Sequence, residues 1–422
     1  MYTPLLPLPA WGRRIRHLLG AAVLLGTAAT AQAQTTVWAL GTVSVTIPPP
    51  SQNVPANPFF PAGAAVGTQG IVPFNPNVDN QPQGLAQPIS GLTSGQILVG
   101  MDYRPNTGQL FTLGYDAGLV AGNNAQVYTL DPATGAVTAV GSSIRLELGG
   151  ATARVGFDFN PTVDRIRVVS SNRANYRLNP NNGAVVDGDA ATAGTQPDGN
   201  LNYNPGNATA TPPVPADANA SLTPGVGSAA YTNSFIGSTN TTLYDIDEVN
   251  GGILVTQNPP NNGTLNTVAA ISLDGVRVGS VPALDLDIYF DGTNNIGFLS
   301  LVTSPNPGGL SSSDLYRVNL TTGVATGKVN LIPASPFAPF NLNDIAIPVT
   351  PPTPGPLVGQ LAYAVTEANA LISFDTQAPS VVRSLSFITG LAAGQTLVGT
   401  DFRPNTGQLF GLGYNPAAGA ND

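Results

Sequence analysis

Aspartate carries most of the ionisable chemistry in this chain, with 24 Asp plus Glu in 422 residues and only three of them glutamate. Three groups could offer hard oxygen ligands close together: Asp187 and Asp189 with Asp198, Asp245 and Asp247 with Glu248, and Asp285 and Asp287 with Asp291. Such oxygens suit calcium. None fits an EF-hand loop, because the alternate residue after Asp285-x-Asp287 is Tyr289 rather than Asp or Asn. Turn-forming aspartate accounts for most of these positions. Asp285, Asp287 and Asp291 are the calcium ligands the sequence puts forward, and no other cofactor is expected. A second pattern is Asp102-x-Arg104, echoed by Asp401-x-Arg403. It reads either as a carboxylate–guanidinium pair for a polar ligand or as an anchor whose Asp bonds amides of the Pro-Asn-Thr-Gly loop. Asp158 keeps the acid while Asn160 replaces the arginine, which favours the structural role. Third, Arg154, Arg165, Arg167, Arg173 and Arg177 cluster in sequence and could receive an anion such as a carboxylated sugar. The competing reading pairs them with Asp158 and Asp164 on a solvated face, at small energetic value.

What is missing narrows the chemistry further. "WGRRIRHLLGAAVLLGTAATAQAQ" has three arginines, an apolar run and the small-x-small site Ala31-Gln32-Ala33, the pattern of a secretory signal peptide over residues 1–33. The run is too short to span a bilayer, and no later stretch approaches the roughly 20 apolar residues required. An exported chain cleaved after about Ala33 follows, periplasmic, surface-bound or extracellular. The one histidine, His17, lies in that leader and the chain has no cysteine. Ser-His-Asp and Cys-His catalysis are thereby excluded from the exported part, as are ordinary zinc, copper and haem sites. Carboxylate-only chemistry, as in glycoside hydrolysis, survives because it needs only two suitably spaced acids. Setting the leader's three arginines aside from 15 basic residues leaves 12 against 24 acids, a charge of −12, with a single lysine and no basic run. Nucleic acid is not an expected partner.

Two levels of repetition give the architecture. Gly91 to Tyr115 aligns without gaps on Gly390 to Tyr414, with 19 of 25 positions identical. A long unit has been duplicated, and the five prolines of "PVTPPTPGP", residues 348–356, read as the linker between copies. Inside the first copy a hairpin formula recurs four times: "YTLDPATG" from Tyr128, "YRLNPNNG" from Tyr176, "YDIDEVNG" from Tyr244 and "YRVNLTTG" from Tyr316. Alternation makes a half-buried strand, the Asx residue opens the turn, and glycine supplies the positive φ that closes it. A further strand pair is expected upstream of each hairpin, as in "ILVGMDYRPNTGQLFTLG", "RVGFDFNPTVDRIRVVSS", "SAAYTNSF" with Ile236, and "LDLDIYFDGTNNIGFLSL".

Four-stranded antiparallel units repeated in this way predict an all-β fold, a β-propeller over residues 35–347. Five blades are readable, the first built from "VWALG", "GIVPFN" and the closing strand "DIAIP". A sixth has room between Thr195 and Gly225. Innermost strands of propellers point at a central channel, where the Asp285 group could sit. Residues 357–422 are expected to form an incomplete second propeller, the product of a truncated gene or an unfinished sequence. The succession "DYRPNTGQLFTLG", "YTLDPATGAVTAVG" and "GFDFNPTVDRIRVVSSNRANYRLNPNNGAVV" resembles a family of exported bacterial proteins defined only as the domain of unknown function numbered 4394. The resemblance implies a propeller and export, and carries no activity. The first blade departs from that family pattern through the insertion "TIPPPSQNVPANPFFPAGAAVG". The function expected is a secreted or surface-exposed, non-enzymatic binding or structural module for an extracellular or cell-envelope ligand, carbohydrate or protein. The alternatives are a calcium- or carboxylate-dependent carbohydrate-active enzyme on the same scaffold and an adhesin-like display repeat.

Overall fold

The computed structural model describes residues 35–47, 49, 59–279, 283–303, 311–334, 340–349, 354–366, 370–388, 390–392 and 394–415. The expected signal peptide, residues 1–33, and residues 350–353 of the expected linker lie outside them.

Five antiparallel sheets form a ring. Blade 1 combines Phe340–Ala346, Val37–Val43, Gln69–Phe74 and Gln87–Pro88, so the strand containing Asp344 pairs with the strand containing "VWALG" and joins the two ends of the ring. Blade 2 is Ile97–Tyr103, Leu110–Tyr115, Ala125–Leu130 and Val137–Ala139. Blade 3 is Val155–Asn160, Arg165–Ser170 and Asn175–Leu178, its outer edge finished by a bridge from Leu178 to Val185. Blade 4 is Val226–Tyr231, Leu243–Asp247, Ile253–Gln257 and Thr264–Ala270, and blade 5 is Ala283–Phe290, Asn295–Thr303, Ser312–Val318 and Val324–Ile332. The first strand given for each blade is the innermost, and these five strands neighbour one another in cyclic order.

Five hydrophobic clusters fill the five seams. Phe111, Leu113 and Phe159 meet between blades 2 and 3, where Phe111 and Phe159 stack edge to face at 5.3 Å. Tyr231 and Val169 share the seam of blades 3 and 4, Leu254 and Leu299 that of blades 4 and 5, Phe298 and Phe340 that of blades 5 and 1, and Leu40 and Leu98 that of blades 1 and 2. A seam for every pair fixes the count at five. The segment from Thr195 to Gly225 holds no sixth blade; its strand Asn202–Tyr203 pairs in parallel with the outer edge of blade 4.

The hairpin formula behaves as its chemistry requires. Gly135, Gly183, Gly251 and Gly323 all have positive φ, between 67° and 84°. The Asx carboxyl or amide oxygens of Asp131, Asn179 and Asn319 accept backbone N–H groups two residues on. One expectation needs correcting. The Tyr244 hairpin joins the second and third strands of blade 4, whereas those at Tyr128, Tyr176 and Tyr316 begin on third strands. "SAAYTNSF" with Ile236 supplies one strand rather than two, because the chain turns at Asn233, with φ of 55°, and returns directly as Leu243–Asp247.

The second copy forms a three-stranded sheet, Leu361–Val365, Ala370–Asp375 and Ala378–Phe387, and a two-stranded one, Thr396–Phe402 with Leu409–Tyr414. The ring is built entirely from residues 37–346, so Gly399 to Tyr414 fills no gap in it. Burial separates the twins: Phe111, Leu113 and Tyr115 are 2, 0 and 5 % exposed, and their counterparts Phe410, Leu412 and Tyr414 are 54, 66 and 55 %. Glycine makes the same point. A Cβ on Gly100 would meet Cβ of Phe157 at 2.5 Å, while one on Gly399 would meet nothing within 4 Å. Gly100→Ala is therefore expected to destabilise the ring by about 1–3 kcal/mol through overpacking, and Gly399→Ala to leave it unchanged. Urea unfolding midpoints check both.

Candidate functional site

The innermost strand of each blade has one unpaired edge, whose N–H groups face the axis. Buried amides of this kind need acceptors. Aspartates supply them, each reaching from its own blade to the next. Asp102 accepts the N–H of Phe159 at 2.9 Å, and Asp158 accepts that of Tyr231 at 3.1 Å. Asp285 and Asp287 accept those of Ile345 and Ile347 at 2.9 and 2.7 Å, and Asp344 accepts that of Met101 at 2.7 Å. Blades 2, 3, 5 and 1 thus each place carboxylates at the axis. Blade 4 has Ala230 at the corresponding position.

The expected loop role of Asp102 is replaced by this one. Its second oxygen takes the N–H of Tyr103, and Arg104 turns away to a different blade, its Nε donating to Asp164 at 2.8 Å and its Nη2 to Asn181 at 2.8 Å. Arg104 and Asp102 form no pair. Arg104 and Asp164 do, both largely buried.

Carboxyl oxygens of Asp102, Asp158 and Asp287 lie within 4.8 Å of one another. None of the five axial aspartates is more than 6 % exposed. Burial is the first cause of a rise in every one of their pKa values, and for Asp102 and Asp158 the neighbouring acids add to it. Asp102, Asp158 and Asp344 stand well above the ordinary carboxyl value, and Asp287 is pushed up to about 7. Asp285 and Asp344 share a hydrogen bond between their carboxyls, which one of them must enter protonated. Arg154 straps one end of this acid core: Nη2 donates to Leu284 O at 3.0 Å and Asn343 O at 3.3 Å, and Nε to Glu248 at 3.4 Å. Burial pushes Glu248 up to about 7.

Of the three calcium candidates, the structure brings Asp285 and Asp287 to the axis and leaves Asp291 behind. Asp291 sits in the exposed turn after the strand, accepting the N–H groups of Thr293 and Asn294. The residues that join Asp287 are Asp102 and Asp158, from other blades. Three oxygens are about half of what calcium takes. The recurrence that could have grouped them is "GMDY" and "GFDF", the same register of two innermost strands.

The arginines divide as well. Arg167 is 2 % exposed and donates to Asn175, to Asp198 at 2.6 Å and to Asn261 at 2.8 Å. Arg177 shares the same Asp198, at 2.8 Å. Arg173 binds the Leu201 carbonyl and Asn202, and Arg154 belongs to the axis. Asp158 takes no arginine among the described residues. A cleft of about 390 Å³ opens between blades 3 and 4, lined by Arg165, Arg167 and Arg177 with Tyr231 and Asn261.

A family model described as a domain of unknown function (DUF4394) matches residues 70–346 and 370–418, a main copy and a shorter second segment. The chain belongs to this family. In the DUF4394 ring the match leaves out the strand Val37–Val43 of blade 1, begins within Gln69–Phe74, and enters the second copy at Ala370. No curated protein matches the sequence. Among solved structures, the nidogen/laminin complex is similar at 10 % identity and TM-score 0.36, over 74 % of this chain and 98 % of that one. The Dos1 propeller is similar at 10 % identity and TM-score 0.29, over 82 and 72 %, and the WD40 domain of Toxoplasma gondii coronin at 10 % and 0.28, over 83 and 75 %. The chain is an all-β propeller, and its sheet order is what says so. Among the described residues no helix is long and apolar enough to cross a membrane.

Proposed function

We propose that this protein is a non-enzymatic propeller, exported to the periplasm, surface or exterior by its N-terminal leader, and used there as a binding module. The observation that carries this reading is the state of the axial carboxylates. A hydrolase built on this scaffold would need two acids open to a substrate. Here the converging acids are buried and their oxygens are engaged by amides of the next blade. With no histidine after residue 17 and no cysteine, Ser-His-Asp and Cys-His nucleophilic catalysis have no residues to use. The purified chain is expected to release no reducing ends from neutral or acidic polysaccharides, with or without calcium. Release that Asp287→Asn abolishes would overturn the reading.

A further inference from the structure

We propose that the cleft between blades 3 and 4 is a binding site for a small carboxylate with an apolar face, of the uronic-acid sugar class. The inference deepens the binding-module reading and rests on it. Three guanidiniums line the cleft, and among the described residues no carboxylate does. Behind the wall, Arg167 and Arg177 share the single carboxylate of Asp198, so the pair keeps one positive charge. The nearby Asp187 carboxylate is turned to the N–H groups of Asp189 and Gln196. Such an excess is unusual in a chain whose net charge is −9.

The donors are also arranged for capture. Arg167 is fixed on four sides, by Tyr231, Asn175, Asp198 and Asn261. Rigid placement of a guanidinium lowers the entropy lost when it takes a ligand. Arg177 commits Nε and Nη2 to Asp198 and the Asp187 carbonyl, and among the described residues its Nη1 donates to nothing. The two N–H groups of Nη1 are left to donate to a ligand carboxylate, as charge-assisted hydrogen bonds. Val186 and Pro260 supply the apolar part of the wall, which suits the C–H face of a sugar ring. The volume falls within the roughly 300–1,000 Å³ of small-ligand clefts.

The test is calorimetric titration of the full chain with galacturonate, galactose and sulfate in parallel. Galacturonate is expected to bind, with galactose and sulfate each weaker by at least about tenfold, a difference of about 1.4 kcal/mol. Arg177→Gln and Arg177→Lys are both expected to weaken galacturonate about tenfold, the lysine because a single ammonium cannot hold Asp198 as Nε and Nη2 do while a further nitrogen faces the ligand. Arg145→Gln, half-buried beside Glu147 and outside the cleft lining, is expected to leave galacturonate binding unchanged. Sulfate binding as tight as galacturonate, or a galacturonate affinity indifferent to Arg177, would overturn the site. Absent galacturonate binding with no polysaccharide turnover removes this ligand and leaves the non-enzymatic reading standing; turnover removes that reading itself.

Discussion

Arg104→Ala is expected to destabilise the ring by about 3–5 kcal/mol, the effect of stranding one partner of a buried ion pair. Arg403→Ala, the same residue of the identical octapeptide "RPNTGQLF" in the second copy, is expected to change stability by less than about 0.5 kcal/mol, as surface substitutions do. The turn is the same in both places: the N–H of Arg104 donates to Gln109 O at 2.9 Å and that of Arg403 to Gln408 O at 2.8 Å. What differs is the surroundings. Arg104 is 3 % exposed, lies over the Phe111 ring at 5.7 Å and grips Asp164 of blade 3 through two nitrogens. Asp164 is itself held in the left-handed region, with φ of 51°, at the turn between the first two strands of its blade. The pair is therefore a clamp between blades 2 and 3, and Arg403 is exposed. Of the two tryptophans, Trp11 and Trp38, Trp38 lies in blade 1, so in both variants its fluorescence follows the ring once Trp11 is replaced by phenylalanine. Replacing Arg104 and Asp164 together by leucine is expected to restore much of the loss, since a well-packed apolar pair can substitute for a buried ionic one. Equal effects of Arg104→Ala and Arg403→Ala would refute the clamp.

The twin octapeptides also show what a sequence can and cannot carry. Strand alternation, Asx residues and glycines act locally, so the hairpins at Tyr128, Tyr176, Tyr244 and Tyr316 and the closing strand at Asp344 were all legible. Blade membership was less so. The formula at Tyr244 slid by one strand because nothing local says how many strands precede it. The axial site was legible only in fragments. Asp285 and Asp287 attract notice because they stand two residues apart, and only sequence distance ties Asp291 to them. In an extended strand four residues span roughly 13 Å, which carries the third acid away from the axis. Asp102 and Asp158 come in from blades 2 and 3, a closeness that exists only once five innermost strands surround one axis. Asp198 likewise serves Arg167 and Arg177, which lie on adjacent strands of blade 3.

The acid core makes the ring's stability depend on pH in a direction opposite to that of most carboxylate-rich proteins. Asp287 and Glu248 are pushed up to about 7 and Asp245 to about 8, in each case by burial first, while the unfolded chain holds them near the ordinary 3.8 to 4.5. Between about pH 4 and pH 8 the native state therefore binds more protons than the unfolded one, and stability falls as pH rises through that window. Each unit of upward shift corresponds to about 1.4 kcal/mol lost on full ionisation. A loss of a few kcal/mol between pH 5 and pH 9 is expected, read as a thermal midpoint lower by at least about 4 °C. Asp189 and Asp291 are held below the ordinary value by their turn hydrogen bonds, so their contribution disappears only on acidification below about pH 4. The maximum should lie on the acid side of neutrality. Asp158→Asn keeps an acceptor for the Tyr231 N–H and removes one charge from the axis, so it is expected to flatten the slope and to exceed the parent's stability at pH 9. A profile that rises from pH 5 to pH 9 would sink the account. Millimolar calcium at pH 9 then separates protons from a cation at the axis. A midpoint restored to its pH 5 level in the parent chain, and not in Asp158→Asn, is the result a cation held by Asp102, Asp158 and Asp287 requires. An unchanged midpoint means that no cation at Asp102, Asp158 and Asp287 offsets the loss of their protons.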